Sequence, residues 1–368
     1  MTIKKISFFL PRILHGGLTQ VMLTLASAII DRGYKVDIVT IHEQWPHQFD
    51  HLLPCDANLI LLPESRPFLS IWPLANYLKK AQADVLITAG SSANNIASLA
   101  RLLAQSPTKI ILTEHSEPSA DVFKSEKVSD RIIPFLMKRL YSKADAVVAV
   151  SHNVAKDLSS FIKYPLEKIH VIYNPIISQK LTKLSFDDIS HPWFSNKQTP
   201  IILFVGRLVE MKNIQLLLNA FSIVNESAPS KLVLIGEGPE KENLISLINE
   251  LKISKNVLFL DYCINPYAYM RQSDVLVLTS KWEGLPTVLI EAMACGTQVI
   301  ATDNLNGAKE ILNNGKFGTL TPNNNAEMLA ENIMKVITYG KQPENVKKRA
   351  DQFSVDASVD QYLSLFNS

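Results

Sequence analysis

The sequence has no apolar run that approaches the roughly 18–20 residues needed to cross a bilayer, which predicts a soluble or peripherally attached protein. Cysteine is scarce: Cys55, Cys263 and Cys295 are odd in number and far apart in 368 residues. Such a set makes neither a disulfide framework nor a metal cluster, and it suits a reducing cytosol. The glycine fingerprint G-x-G-x-x-G is also missing, which argues against NAD or FAD. No Asp-x-Asp motif occurs in the sequence.

The net charge is only +2, which does not favour a nucleic-acid-binding protein. The charge is uneven, however: residues 1–175 hold 19 Lys and Arg against 15 Asp and Glu, and the remainder holds 18 against 20. The first half is therefore the half that we expect to face an anionic surface. Hydrophobic residues make up 47% and charged residues 20%, as in a globular chain, and the length suits two α/β domains.

The N-terminal stretch MTIKKISFFLPRILHGG is similar to the start of a signal peptide, but Pro11 and Arg12 interrupt it and no small-residue cleavage site follows. We therefore predict a first β-strand. Near-continuous apolar strands then alternate with helix-like stretches, which indicates parallel sheets covered on both faces. The predicted strands are KISFFL, YKVDIVT, DVLITAG, KIILTEH, AVVAVS and KIHVIYN in the first half, and IILFVG, KLVLIG, NVLFLD, VLVLTS and QVIATD in the second.

The alternation lapses over the polar stretch PIISQKLTKLSFDDISHPWFSNKQTP, which holds three prolines and is typical of an interdomain connection. The prediction is an α/β protein with two doubly wound parallel-sheet domains, over 1–175 and 201–351, joined by a linker over 176–200. A short amphipathic helix is predicted at about 352–368; the first domain is one candidate for its packing partner, and the sequence alone does not decide between the two domains.

In such sheets a ligand binds beyond the carboxyl ends of the strands, so polar residues after the strands are candidates. Gly16 and Gly17 open the first helix, where free N–H groups can meet an anion or simply form a tight turn. His115 ends KIILTEH and is either a site residue or structural. Arg207 and Lys212 follow IILFVG. Two cations at this turn suit a diphosphate, because a helix start otherwise favours acids.

The stretch KWEGLPTVLIEAMACG, residues 281–296, places Glu283 and Glu291 on either side of a helix start. Pro286 suits the first helical turn because it lacks an N–H. A carboxylate accepts hydrogen bonds from hydroxyl groups of a sugar or ribose; an acid–base pair and a structural cap are the alternatives. Between the two carboxylates a helix-start anion site is predicted from the N–H groups of Gly284, Leu285, Thr287 and Val288.

Gly16-Gly17, ADAVVAVSHNVAKDL, FVGRLVEMKN, GEGPEKENL and above all EGLPTVLIEAMACGTQVIATD resemble the motifs of a retaining glycosyltransferase with the GT-B fold, of glycosyltransferase family 4. The resemblance covers nearly the whole chain. It implies two Rossmann-like domains that face a central cleft, the first on the acceptor side and the second binding the donor. It also implies a cytoplasmic enzyme that moves a sugar from a nucleotide sugar, with UDP expected, to a glycan or lipid-linked acceptor. The nearest type builds bacterial lipopolysaccharide, capsule or lipid-linked glycans.

The resemblance further implies roles, with catalysis assigned to Glu283, His115, Lys212 and Arg207. Arg207 and Lys212 would hold the donor diphosphate, Glu291 the ribose and Glu283 the transferred sugar. The amides of Leu285, Thr287 and Val288 would bind the phosphates, in a loop that also contains Gly284 and Pro286. Gly17, next to Gly16, would approach the diphosphate from the other domain. His115 would line the sugar and acceptor side. Transfer would proceed with retention, at the front face and without a metal. A nucleotide-sugar epimerase and a pseudoenzyme that only binds nucleotide sugar are alternatives on the same fold.

The segment DRIIPFLMKRLYSK, residues 130–143, mixes large apolar residues with Arg131, Lys138, Arg139 and Lys143. A basic amphipathic segment of this kind predicts peripheral contact with an anionic membrane at the inner face of the cell membrane. The alternative is an ordinary helix packed on the first sheet.

Overall fold

The computed structural model describes residues 5–13, 17–41, 53–63, 66–119, 133–261, 263, 265–304, 306–340 and 343–367. The chain divides into two compact units, Met1–Pro175 with Val355–Ser368, and Ile176–Ser354. Two predictions therefore fall partly or wholly outside the described residues: Gly16 and the first part of the basic segment, residues 130–132.

The described residues of the first unit form a parallel sheet with the strand order β3-β2-β1-β4-β5-β6-β7. Its strands are β1 (Lys5–Phe9), β2 (Lys35–Ile41), β3 (Ala57–Leu62), β4 (Val85–Ala89), β5 (Lys109–Glu114), β6 (Ala146–Ala149) and β7 (Ile169–Val171). In the register, Phe8 lies opposite Ile38 on one side and Ile87 on the other. All three side chains are fully buried, as expected for the centre of a sheet with both faces covered.

Helices connect these strands, and the first of them has the predicted C-terminal glycine: Gly33, with φ 86°, donates its N–H to the carbonyl of Ile30 at 2.8 Å. The helices are α1 (Gly17–Asp31), α2 (Ile71–Ala81), α3 (Ser91–Ala104), α4 (Ile133–Tyr141) and α5 (His152–Ile162). Because β1 begins at Lys5 and pairs in the sheet, the N-terminal stretch is a strand, as predicted. In the described part of the chain, no helix has both the length and the apolarity that a bilayer crossing requires.

The second unit contains a parallel sheet with the order β10-β9-β8-β11-β12-β13. Its strands are β8 (Ile201–Val205), β9 (Lys231–Ile235), β10 (Val257–Leu260), β11 (Val275–Leu278), β12 (Gln298–Thr302) and β13 (Thr319–Thr321). Its helices are α6 (Gln179–Leu184), α7 (Pro192–Ser195), α8 (Ile214–Ser227), α9 (Lys241–Glu250), α10 (Pro266–Gln272), α11 (Thr287–Ala294), α12 (Asn306–Ile311), α13 (Ala326–Tyr339) and α14 (Pro343–Ala350). The two parallel sheets confirm the predicted fold class.

Residues 176–200 differ from the predicted linker, because the structure makes them part of the second unit. Ser178 caps α6 through its Oγ, which accepts from the N–H of Leu181 at 3.1 Å. The ring of Phe194 packs edge-on against Tyr269, and Lys197 pairs with Asp274 at 2.6 Å. The polar and proline-rich composition that indicated a linker thus supplies helix caps and surface contacts instead.

The C-terminal helix α15 (Val355–Asn367) belongs to the first unit and packs against α1. Arg32 donates to Asp356 at 2.9 Å, and Lys109 Nζ donates to the carbonyl of Phe366 at 3.1 Å. The side chains of Tyr362 and Phe366 are buried. Helix α15 therefore packs into the core of the first unit, which also contains β1.

Candidate functional site

The candidate cations of the second unit lie in the turn that follows β8. Arg207 comes two residues after the end of the strand, and its side chain is exposed. Residues Glu210–Lys212 form a 3₁₀ turn, and Asn213, with φ 47°, leads into α8. Lys212 therefore stands at a helix start, where the helix dipole disfavours a cation that lacks a negative partner.

Glu283 is the partner of Lys212. Lys212 Nζ lies 2.7 Å from Glu283 Oε1, and the two side chains are only 12% and 13% exposed. Ser280 Oγ donates to the same oxygen at 2.5 Å. The sequence argument gave Lys212 a phosphate as its partner; the structure instead pairs it with a carboxylate and so brings two predicted site residues together. Within the described residues, the second oxygen, Oε2, has no hydrogen-bond partner.

Backbone contacts hold this pair in place. Thr279 Oγ1 lies 3.0 Å from the carbonyl oxygens of both Lys212 and Asn213. The N–H of Lys281 donates to the carbonyl of Met211 at 2.8 Å. The loop after β11 is thus joined to the turn before α8. Sequence reasoning missed Thr279 and Ser280, although their place as the last two residues of VLVLTS marks them as strand-end residues.

The helix start predicted between the two glutamates is present as α11. Pro286 is the residue before the helix, with extended backbone, rather than its first helical residue. The first N–H with a backbone acceptor is that of Leu289, which donates to the carbonyl of Pro286 at 3.1 Å. Within the described part of the chain, the N–H groups of Leu285, Thr287 and Val288 have no acceptor. Free N–H groups at a helix start are the donors that an anion requires.

Glu291 lies one turn after Thr287 on the same side of α11. Its carboxylate has no ion pair or hydrogen bond among the described residues, and burial raises its pKa to about 7. A partly buried carboxyl without protein partners is costly unless a ligand supplies them. Hydroxyl groups are suitable partners because they donate to either protonation state of the carboxyl group.

This raised pKa predicts a pH-dependent stability. Between the ordinary value of 4.5 and about 7, the folded chain holds a proton on Glu291 that the unfolded chain releases. The contribution of Glu291 to the free energy of unfolding therefore falls as the pH rises through this window. We expect Glu291→Gln to be more stable than the wild type at pH 8, by about 1–3 kcal/mol, and equal to it near pH 5. Urea unfolding at both pH values measures the free energy of unfolding, and Glu226→Gln on the exposed face of α8 is the control. If Glu291→Gln differed from the wild type by the same free energy at both pH values, the prediction would be wrong.

His115 directly follows β5 in the first unit. Its Nε2 lies 2.9 Å from Thr113 Oγ1, and burial lowers its pKa to about 3. The imidazole is therefore neutral at physiological pH and can exchange hydrogen bonds without carrying charge. Gly17 is the first residue of α1 and is exposed.

Glu114, the residue before His115, is fully buried. It accepts hydrogen bonds from Ser91 Oγ at 3.1 Å, Asn94 Nδ2 at 2.9 Å and the hydroxyl of Tyr141. Burial raises the pKa of Tyr141 well above its usual range, so its hydroxyl remains a donor. This network ties β5 to α3 and α4, which gives Glu114 a structural role.

Among the described residues, no group of three His, Cys, Asp or Glu side chains is placed to hold a metal ion. Metal independence stays a prediction.

Several known proteins are similar to this chain over nearly its whole length. A curated relative, N-acetylgalactosamine-N,N'-diacetylbacillosaminyl-diphospho-undecaprenol 4-alpha-N-acetylgalactosaminyltransferase of Campylobacter jejuni, is 27% identical over 354 residues, which cover 94% of each chain. A glycosyltransferase crystal structure from Rickettsia africae has a TM-score of 0.81 at 19% identity, over 100% of this chain and 98% of that one. Anabaena HepE, in complex with UDP, has a TM-score of 0.77 at 20% identity, over 99% and 100%.

These structural likenesses extend over both units and confirm the predicted GT-B fold class. Two family models match the sequence itself. Residues 15–180 match Glycosyltransferase Family 4, and residues 185–353 match Glycosyl transferases group 1. Because the two models together account for nearly the whole chain, the protein belongs to the glycosyltransferases, with a family 4 first half and a group 1 second half.

Proposed function

We propose that this glycosyltransferase moves a sugar from a UDP-sugar to a lipid-linked or glycan acceptor in cell-surface polysaccharide or lipopolysaccharide synthesis. The observation that carries the proposal is the set of free N–H groups at the start of α11. This helix begins four residues after Glu283, whose carboxylate pairs with the largely buried Lys212. The substrate classes have support from two similar proteins. HepE is solved with UDP, and the Campylobacter relative is named for a diphospho-undecaprenol-linked acceptor.

In the proposed reaction, the bond between the anomeric carbon and the diphosphate oxygen breaks. A bond from that carbon to the acceptor oxygen forms on the same face, and the departing phosphate oxygen takes the acceptor's proton. The protein's main task is then to stabilise negative charge that develops on the diphosphate. Lys212, the exposed Arg207 and the amides of Leu285, Thr287 and Val288 are the groups suited to this task.

The carboxylates serve the two ends of the donor. Glu283 is fixed through Oε1 by Lys212 and Ser280, which leaves Oε2 for a hydroxyl of the transferred sugar. Glu291 has no protein partner among the described residues, and it receives the ribose hydroxyls. His115 supplies a neutral hydrogen-bonding group for a hydroxyl of the substrate. No step in this scheme requires a metal.

A transfer assay tests the proposal. Purified protein is incubated with a panel of UDP-sugars, with and without undecaprenyl-diphosphate-linked sugar, in the presence of EDTA, and UDP release and product are measured. We expect UDP release that depends on the acceptor, and NMR of the product should show the anomeric configuration of the donor. An epimerised UDP-sugar, inversion of configuration, or binding without turnover would each contradict the proposal.

We further propose that an anionic bilayer is the surface on which the first unit works, at the inner face of the cell membrane. Helices α2, α3 and α4 lie side by side, and their described sequences contain no Asp or Glu. Their bases are Lys79, Lys80, Arg101, Lys138 and Arg139. Large apolar side chains are exposed on the same layer: Phe68 68%, Leu69 53%, Trp72 65%, Leu102 45% and Phe135 61%. Arg101 pairs with Asp145 at 2.7 Å; the exposed aromatics among the remaining bases complement anionic lipid headgroups.

Vesicle flotation measures this contact. We expect the wild type to bind vesicles of phosphatidylglycerol mixed with phosphatidylcholine, and to bind pure phosphatidylcholine weakly. Trp72→Ser and Phe68→Ser should each weaken binding roughly five- to tenfold, because each removes apolar area from the bilayer boundary. Tyr339→Ser, which changes an aromatic residue of the second unit that is 83% exposed, is the matched control. Equal binding to both vesicle types, or no loss in the Trp72 and Phe68 variants, would contradict the proposal.

A further inference from the structure

The carboxyl end of β5 carries a short chain of hydrogen bonds that ends on His115. Thr113 Oγ1 lies 2.6 Å from the backbone carbonyl oxygen of Thr88, and 2.9 Å from Nε2 of His115. A carbonyl oxygen only accepts hydrogen bonds, so the single hydroxyl proton of Thr113 points to Thr88. Towards His115 the hydroxyl can then only accept, which requires a proton on Nε2.

The position of Thr113 is itself fixed. Its carbonyl oxygen accepts from the N–H of Gly90 at 2.9 Å and from Asn94 Nδ2 at 3.0 Å. Asn94 and Thr113 are fully buried and join the ends of β4 and β5 to the start of α3. The hydroxyl therefore cannot turn to His115 as a donor without giving up its bond to Thr88.

The other ring nitrogen of His115, Nδ1, has no hydrogen-bond partner within the described residues. A purely structural histidine of this partly buried kind normally has partners on both nitrogens. Burial lowers the pKa of His115 to about 3, so the ring stays neutral over the physiological range. With the proton on Nε2, Nδ1 carries a lone pair and acts as an acceptor.

We propose that Thr113 is a positioning residue that fixes His115 in the Nε2–H tautomer, so that Nδ1 is presented as a hydrogen-bond acceptor for a hydroxyl group of the sugar substrate. The part that concerns the substrate rests on the proposed function; the tautomer does not. A neutral acceptor selects a ligand group that donates a hydrogen bond. It offers no ionic attraction to a carboxylate.

NMR of the full-length protein labelled with ¹⁵N-histidine tests the tautomer directly, because protonated and unprotonated ring nitrogens differ strongly in chemical shift. The eight histidines are resolved by their long-range proton–nitrogen patterns, and His115→Gln assigns the signal of His115. We expect the pattern of the Nε2–H form, unchanged between pH 5 and 8. An Nδ1–H pattern, or a ring that becomes protonated in this range, would overturn the proposal.

Two variants, one without the hydroxyl group and one that keeps it, separate positioning from packing. Thr113→Val removes the hydroxyl, and we expect the His115 signals to shift towards a mixture of tautomers and kcat/KM for transfer to fall about tenfold. Thr113→Ser keeps the hydroxyl and should retain both the Nε2–H pattern and most of the activity. An unchanged tautomer in Thr113→Val overturns the assignment even if the variant is less stable. A shifted tautomer with full transfer activity overturns the role in substrate binding and leaves the proposed function intact.

Discussion

Replacing Lys212 with alanine is expected to lower kcat/KM for sugar transfer by about 10²- to 10³-fold, the size found when one preorganised charge-stabilising group is removed. The variant loses the cation that faces the developing charge on the diphosphate. Among the described residues, it also leaves Glu283, only 13% exposed, with Ser280 as its one remaining partner. A sheltered carboxylate that has lost its counter-ion repels the diphosphate and can turn away from the sugar.

The measurement is the rate of UDP release at saturating acceptor, with the folded fraction checked by thermal unfolding. Lys281→Ala is the matched control. Lys281 is also a lysine of this loop region, but it is 37% exposed and pairs at 2.7 Å with Glu210, which is 78% exposed. Removing a surface pair of this kind changes little, so we expect activity within about threefold of the wild type. Equal losses in the two variants would show that only the net positive charge of the region matters.

A double-mutant cycle distinguishes two separate roles from one shared unit. Glu283→Gln alone should also be strongly impaired, because an amide cannot be the counter-ion of Lys212. If Lys212 and Glu283 act as the pair seen here, the double variant is only slightly worse than either single variant. Additive losses would mean that each residue meets the donor independently.

Most of the fold follows from local pattern. Every strand predicted from an apolar run is present, since a buried parallel strand needs a continuous apolar sequence. Two strands were not predicted, β3 and β13. Each lies at one edge of its sheet, and β3 is largely only half-buried, while β13 has three residues. An edge strand is less covered by helices and by a second neighbouring strand, so it needs a shorter or less apolar sequence. The pattern of apolar residues alone therefore does not reveal such a strand.

The site was predictable in its residue types but not in its pairings. The cation after β8, the helix start of α11 and the histidine after β5 all follow from strand-end position. The Lys212–Glu283 contact joins residues 71 positions apart, and its partner choice depends on how two loops pack. The tautomer of His115 likewise depends on packing between strands, because the hydroxyl of Thr113 donates to the carbonyl of Thr88, 25 positions away. Long-range side-chain geometry of this kind is set by tertiary packing and is not encoded in local periodicity.

The loop that carries the free amides depends on a glycine in another helix. Gly307 is a buried residue of α12, and a Cβ built on it would lie 2.1 Å from the carbonyl oxygen of Gly284 and 3.0 Å from Cδ of Pro286. Those neighbours are backbone and a rigid ring, so neither can move aside as a flexible side chain would. The close approach of α12 is therefore what sets the path of the chain from Gly284 into α11.

We expect Gly307→Ala to lower kcat/KM for transfer by about 10- to 100-fold, because a displacement near 1 Å in a preorganised site is enough for such a loss. The amides of Leu285, Thr287 and Val288 would shift with Gly284, so UDP should also bind more weakly in calorimetry. In an open helix position, glycine to alanine normally stabilises by roughly 0.5–1 kcal/mol; here the melting temperature should fall instead. Lys309→Ala in the same helix is the control and should leave UDP binding unchanged. Normal UDP affinity in Gly307→Ala, measured well below its melting temperature, would mean that the amides of α11 do not hold the diphosphate.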